Sequence, residues 1–462
     1  MKVVTRSLIV ALTGALIAPL CVFGNENLSH SNSNGVDTFK ESTCNHASDQ
    51  ESCFQATDDE SGLPCQWCIA GAIPSECMSP SQAAQLPSGV FNCQTPGSQS
   101  QETSLFRFDG GETVISFADV RQHSSDDEDA FCDSQSDSIS GYVDIKGSKY
   151  DKQGENKHLF FWMFEKRNKA DQTEQDPSKT PFILWLTGGP GCSSTLALLT
   201  ENGPCSVNQD GESTSVNPFS WTESAHVLWL DQPAGVGFSY GEETDTNEGM
   251  VSEDAFYFLQ AFFQKYPQYA KNPFFVVGES YAGHYVPAIA HRVWEGNHHL
   301  RGRIATDTIR INLQGIAIGN GLTNPEEQYK WYPEMVYNNS HGIKVVSEDV
   351  YETMKEVVPR CTELIHTCNK GDSMIDTFAC QSAFIVCNMG LTSPYQSTGL
   401  NPYDIRKECE KPPLCYDMSH ITKWLNSAKT KKALHVDTQH SHSWQTCNFG
   451  INMKFHTVRT SS

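Results

Sequence analysis

The chain has 462 residues, long enough for one large α/β domain and a smaller appendage. Its 33 lysines and arginines against 55 aspartates and glutamates leave a net charge of −22. That balance excludes nucleic acid and anionic membrane surfaces as partners, since both demand a basic face, and describes a soluble acidic protein.

Residues 1–24 read as a secretory signal peptide, with Lys2 and Arg6 ahead of a mostly apolar run at 8–22 and Gly24 near a cut. A membrane span needs roughly 20 continuous apolar residues. This run is shorter, broken by Thr13, Gly14 and Pro19, and no later segment reads as membrane-spanning, so no membrane anchor is expected. One of the 17 cysteines, Cys21, falls in the signal, leaving 16, an even number suited to disulfides in an oxidising compartment. The expected location is the secretory pathway, ending extracellular or vacuolar/lysosomal. Asn27-Leu28-Ser29 and Asn338-Asn339-Ser340 are glycosylation acceptor triplets at Asn27 and Asn338.

Residues 25–125 form a cysteine-rich, low-complexity appendage, rich in Ser, Gln, Asn and Asp and carrying Cys44, Cys53, Cys65, Cys68, Cys77 and Cys93. Cys65-Gln66-Trp67-Cys68 has zinc-ligand spacing, but the second ligand pair is missing and the compartment oxidises thiols. Disulfides are therefore the preferred reading, with no metal and no organic cofactor. The appendage's partner is left open. The acidic run at 126–129 reads as a solvated linker.

From about residue 130 the pattern becomes α/β. Apolar runs at 159–164, 181–186, 226–230, 274–277 and 309–318 predict strands covered on both faces. Ala255, Phe258, Leu259, Phe262 and Phe263 recur at helical spacing, and Pro267 ends that helix. Strands alternating with helices predict a parallel sheet. Residues of about 325–440 carry short helical stretches and Cys361, Cys368, Cys380, Cys387, Cys409 and Cys415, and read as an insertion stapled over the sheet.

Ser280 sits in Gly278-Glu279-Ser280-Tyr281-Ala282-Gly283, a G-x-S-x-G pattern between an apolar strand and a helical segment through Ala290 and Val293. A strand–turn–helix elbow of this kind lifts the serine above the sheet as a nucleophile. Gly188-Gly189-Pro190-Gly191-Cys192 follows an earlier strand. Paired with the elbow, it predicts an oxyanion hole of the Gly189 and Tyr281 N–H groups. Glu279 beside the nucleophile is costly to bury unless it works. If it meets a second carboxylate, one of the two must hold a proton and can donate a hydrogen bond to the free C-terminus of a peptide. Such a site binds best at acid pH.

The chain resembles serine carboxypeptidases of the carboxypeptidase Y type. The matching stretches are Trp185-Leu186-Thr187-Gly188-Gly189-Pro190-Gly191-Cys192-Ser193-Ser194, Leu230-Asp231-Gln232-Pro233-Ala234-Gly235-Val236-Gly237-Phe238-Ser239-Tyr240 and the elbow at 278–287. Ile318-Gly319-Asn320-Gly321, Tyr403-Asp404-Ile405-Arg406 and 443–452 complete the series, which covers roughly residues 130–452. The resemblance implies an α/β-hydrolase core, with Ser280 as nucleophile and Gly189 and Tyr281 as oxyanion donors. Glu201 and Glu279, helped by Thr187 and Gly188, would hold the C-terminal carboxylate of a peptide or protein substrate. It also implies disulfides Cys192–Cys447, Cys361–Cys387, Cys368–Cys380 and Cys409–Cys415, and leaves Cys132 and Cys205 as a candidate pair. The family usually has Asn where this chain has Thr187, whose hydroxyl has shorter reach and one donor.

The family's order is Ser, then Asp, then His on later loops, and the resemblance stops near Asn452. The hydrolase domain, 126–462, is accordingly expected to be incomplete at its C-terminal end. Asp437, His440, His442 and His456 are late candidates, but they surround a segment matching the insertion. Three readings follow: a serine-type carboxypeptidase cut short before its Asp and His, a catalytically inactive secreted peptide-binding relative, or a serine-carboxypeptidase-like acyltransferase. A paired Glu201 and Glu279 favours a peptide reader over an acyltransferase.

Overall fold

A computed structural model describes residues 44, 50–59, 61–70, 73–84, 92–94, 103–108, 111–123, 131–146, 148, 150, 156–167, 176–299, 308–371 and 374–457. Residues 1–24, including the signal peptide, and the Asn27 acceptor lie outside them. The chain divides into two compact units, Met1–Ser100 and Gln101–Ser462, so the boundary falls before the residue 125 expected from composition.

In the first unit three short strands pair in the order Ile73–Met78, Gln66–Ala70, Asn92–Gln94. Disulfides Cys44–Cys65, Cys53–Cys77 and Cys68–Cys93 staple them. Buried cysteines, with Ala56 and Trp67 packed against them, form this unit's core. A segment this small buries too little apolar surface to stand without such staples. Cys65 and Cys68 are held by different partners, so the zinc-like spacing belongs to two separate disulfides.

The second unit is built on a nine-stranded sheet. Its strands are β1 (Thr103–Phe108), β2 (Gly111–His123), β3 (Ser138–Lys146), β4 (Asn156–Phe164), β5 (Phe182–Leu186), β6 (His226–Leu230), β7 (Tyr240–Gly241), β8 (Phe274–Glu279) and β9 (Leu313–Gly319). The spatial order is β9-β8-β5-β6-β4-β3-β2-β1, with the short β7 also paired to β4. β9, β8, β5 and β6 run parallel. β6 to β4, and β4 through β1, are antiparallel. The sheet is therefore mixed, where strand–helix alternation predicted a parallel one. β3 escaped the apolar-run criterion because its inward positions include serines. Ser140, fully buried, satisfies its hydroxyl by donating to Leu434 O at 3.1 Å.

Strand alternation divides the core between the two faces. Phe161 and Met163 of β4 pack with Leu184 and with helices α2 (Glu248–Lys265) and α3 (Ala282–His299) through Phe258, Phe262, Tyr285 and Val286. Phe160, Trp162 and Phe164 point to the other face, where Trp185, Trp229, Ile421, Trp424, Leu434 and Trp444 meet them. The later part of the insertion thus covers the sheet. Its earlier part, α4 (Glu348–Cys368) and α5 (Met374–Cys387), has a core of its own around Met354, Leu364, Ala383 and Leu391. Disulfides Cys361–Cys387 and Cys368–Cys380 join α4 to α5. By length and composition Met374–Gln396 is apolar enough to cross a membrane, which corrects the reading that no later segment qualifies. Met374, Ile375, Phe378, Ile385 and Met389 in it are exposed.

Candidate active site

The elbow joins β8 to α3. Ser280 holds φ +59°, the left-handed region that L-residues enter only under constraint. The constraint is visible: Ser280 N donates to Gly319 O at 3.1 Å, and Ser280 O accepts from Leu322 N at 2.8 Å and Gly283 N at 3.0 Å. A Cβ on Gly278 would stand 2.5 Å from Leu186 O, so only glycine lets the elbow approach the end of β5. Ser280 itself is exposed.

The glycine loop leaves β5 and faces the elbow. Gly189 holds φ +111° and Gly191 φ +87°. The loop is pinned by Cys192 N donating to Gly188 O at 3.1 Å, by Asn448 N donating to Gly191 O at 2.8 Å, and by the Cys192–Cys447 disulfide. Disulfides Cys132–Cys205 and Cys409–Cys415 lie elsewhere in this unit. Beyond the loop, α1 (Ser194–Thr200) ends at Glu201, its C-cap.

A cavity of about 560 Å³ brings Thr187, Gly188, Gly189, Glu201, Glu279 and Ser280 together. Glu201 and Glu279 are hydrogen-bonded to each other, so one of the two holds a proton. The cavity walls desolvate Glu201, and the neighbouring Glu279 charge and hydrogen bond act the same way, so its carboxyl is pushed up to about 8. Its position at the C-terminal end of α1 also disfavours a negative charge. Glu201 is nonetheless exposed, on the solvent side of the cavity. Glu279 is raised too, by burial. Thr187 Oγ1 accepts from Trp185 Nε1 at 3.2 Å while Thr187 N donates to Ser194 Oγ at 3.1 Å, which leaves the hydroxyl hydrogen for the cavity.

Sequence reasoning missed the rest of the wall. Tyr403, Leu414, Tyr416 and Met418 of the insertion, with Phe449 beyond it and Leu196 of α1, supply apolar and aromatic lining. Tyr403 and Phe449 lie within the matching stretches, which was the available signal; the other three carried none. A second cavity, of about 400 Å³, is lined by Tyr281, His284, Leu322, Tyr329, Phe384 and Phe455, among others.

The late candidates lie apart from Ser280. His440 Nδ1 and Asp437 Oδ2 are 2.8 Å apart, and Tyr240 Oη donates to the same carboxylate oxygen at 2.7 Å. Neither residue lines the Ser280 cavity, and nor does His442. The side chain of His456 lies outside the described residues. Asn338 is exposed, with Nδ2 donating to Glu334 Oε2 and Tyr351 Oη. Among the described residues no group of three or more His, Cys, Asp or Glu side chains is placed to hold a metal ion.

The sequence matches the serine carboxypeptidase family model over residues 131–462. It is 40% identical to a carboxypeptidase Y homolog A of Phaeosphaeria nodorum over 317 residues, 68% of this chain and 53% of that protein. Against the carboxypeptidase Y of Komagataella phaffii it is 39% identical over 317 residues, 68% of this chain and 55% of that one. The chain spans about half the length of these curated relatives. Among solved structures it resembles Kex1(Δ)p, a prohormone-processing carboxypeptidase from Saccharomyces cerevisiae, with a TM-score of 0.56 and 25% identity over 74% of this chain and 68% of that one. An elbow serine, a glycine loop and the intervening sequence agree with one family along most of the chain, and the protein belongs to the serine carboxypeptidases.

Proposed function

We propose that this chain carries the substrate-reading half and the nucleophile of a serine-type carboxypeptidase acting on peptides or proteins with a free C-terminus. The observation that carries this reading is one cavity lined by Glu201, Glu279 and Ser280, in which burial raises both carboxyls. A protonated carboxyl donates to the substrate's terminal carboxylate, assisted by the Thr187 hydroxyl and the Gly188 N–H. The C-terminal side chain then lies against the apolar wall from the insertion, and the preceding residue is directed past Tyr281. Ser280 Oγ attacks the carbonyl carbon once a general base, which none of the described residues lining the cavity supplies, takes its proton, and that base then gives the proton to the leaving amine. Gly189 N–H and Tyr281 N–H receive the oxygen as it becomes negative. The C–N bond breaks, the terminal amino acid leaves, and water hydrolyses the acyl-enzyme. Eight disulfides support an oxidising compartment, hence the secretory pathway with an extracellular or vacuolar/lysosomal end.

One observation favours a second reading, a peptide-binding relative without turnover: Asp437 and His440 are engaged with each other away from Ser280. Binding and hydrolysis by the full chain separate the two. A peptide acid should bind and its C-terminal amide should not. Release of the terminal amino acid, lost in Ser280→Ala, identifies the enzyme, whereas carboxylate-dependent binding without release identifies the binder. Equal affinity for acid and amide would defeat both.

The pair also sets a pH dependence. The pair keeps its proton below the raised value of Glu201, about 8, and loses it as pH rises through that value. Two like charges then face the incoming carboxylate, so affinity is expected to be highest in acid and to fall, at most tenfold per pH unit, above it. Glu279→Gln removes the partner charge and should flatten this profile. A variant that loses affinity with rising pH as steeply as the parent would show that no shared proton governs binding.

A further inference from the structure

Glu248 received no role from its sequence, and its position gives it one. It follows the N-cap Asn247 at the start of the 18-residue helix α2 and is 6% exposed. Its Oε1 accepts a hydrogen bond from Tyr281 Oη at 2.6 Å. A helix N-terminus favours a negative charge, which suits a buried carboxylate there. The Tyr281 phenol is raised far above its usual range by burial and then by Glu248. Burial lowers His284, and the Glu248 charge opposes that change.

The ring of Tyr281 is clamped on its other sides as well. His284 stacks at a tilt 4.9 Å away, and Tyr285 and Phe455 meet it edge-on at 5.2 and 6.1 Å. The backbone of the same residue faces the glycine loop so closely that a Cβ on Gly188 would stand 2.3 Å from Tyr281 N. The Tyr281 N–H shares a peptide plane with Ser280 O, which accepts from Leu322 N and Gly283 N, and the restraints on the Tyr281 ring act on the direction of that N–H together with these bonds.

We propose that Glu248 is a positioning residue, which holds the Tyr281 phenol and through it aims the Tyr281 N–H at the oxygen of the tetrahedral intermediate. This rests on reading that N–H as an oxyanion donor. Without Glu248 the phenol loses this hydrogen-bonded anchor, and the ring's hold on the backbone of residue 281 loosens. Donors act on a developing charge only when pre-aimed, and small misplacements of the reacting geometry cost up to about 100-fold.

The test compares, on the full chain, affinity for a phosphonamidate peptide with affinity for the parent peptide of the same sequence. The phosphonamidate presents a tetrahedral anion without requiring Ser280 to react. Glu248→Leu should cut the preference for the tetrahedral ligand about tenfold while parent-peptide affinity stays within about twofold. Glu248→Gln, whose amide oxygen still accepts from the phenol, should retain most of the preference. Tyr281→Phe removes only the hydroxyl and should match Glu248→Leu, deciding the question even if the leucine variant fails to fold. A purely structural role would weaken both ligands together and show no rescue by glutamine. An unchanged preference in Glu248→Leu and Tyr281→Phe, or a glutamine variant as deficient as the leucine one, overturns the inference alone. A parent chain with no preference for the tetrahedral ligand overturns the oxyanion reading, and the inference with it.

Discussion

Lys157→Met is expected to destabilise the second unit by about 3–5 kcal/mol, the usual cost of removing one partner from a buried charge group. Lys157 is fully buried on β4, with Nζ 2.7 Å from Asp245 Oδ1 and 2.7 Å from Asp254 Oδ2. Methionine fills the space but takes a cation from beside two carboxylates that are 3% and 4% exposed on their side chains. Losing a cation from a desolvated charge group is costly, because burial keeps solvent from compensating. The effect extends toward the site, because Asp245 lies three residues before Glu248 and Asp254 lies in α2 itself. Urea unfolding followed by tryptophan fluorescence should show a lowered midpoint. A loss under about 1 kcal/mol would mean that the cluster contributes as a solvated surface pair does.

The second large effect concerns the glycine loop. Gly188→Ala would place a Cβ 2.3 Å from Tyr281 N, 2.8 Å from Glu279 O and 2.9 Å from Ser280 Cβ. Two of these three are backbone atoms, so no flexible side chain can give way. The loop must retreat from the elbow, separating the Gly189 N–H from the Tyr281 N–H. Loss of one aligned oxyanion donor typically costs roughly 100- to 1,000-fold in turnover, and overpacking adds about 1–3 kcal/mol of destabilisation. Affinity for the phosphonamidate peptide is expected to fall by a comparable factor, while thermal unfolding shifts only modestly. A variant within threefold of the parent for that ligand would show that the two N–H groups do not act on one oxygen.

Several elements of this architecture are legible in the amino-acid pattern. β4, β5, β6 and β8 are continuous apolar runs because neighbours cover both of their faces, and α2 repeats its apolar residues every three or four positions. The elbow at Ser280 is legible for a steric reason. Strand and helix meet too closely there for side chains, so glycines bracket the serine in the sequence itself. β3 is not legible, because its buried serines are satisfied by partners such as Leu434, nearly 300 residues away. A local window contains no record of such a partner.

The division at the site follows the same physics. Sequence alone determined the residues whose constraints are local: the elbow serine in its turn, the glycine loop that follows β5, and an acid beside the serine. Only the tertiary structure decided which groups meet across the fold. It brought Leu414, Tyr416 and Met418 from the insertion to the cavity wall and placed Glu248 under Tyr281. It also drew Asp437 and His440 to Tyr240 and away from Ser280. Contacts between distant segments depend on how helices and strands pack, and packing is a property of the whole core, which no short stretch of sequence encodes.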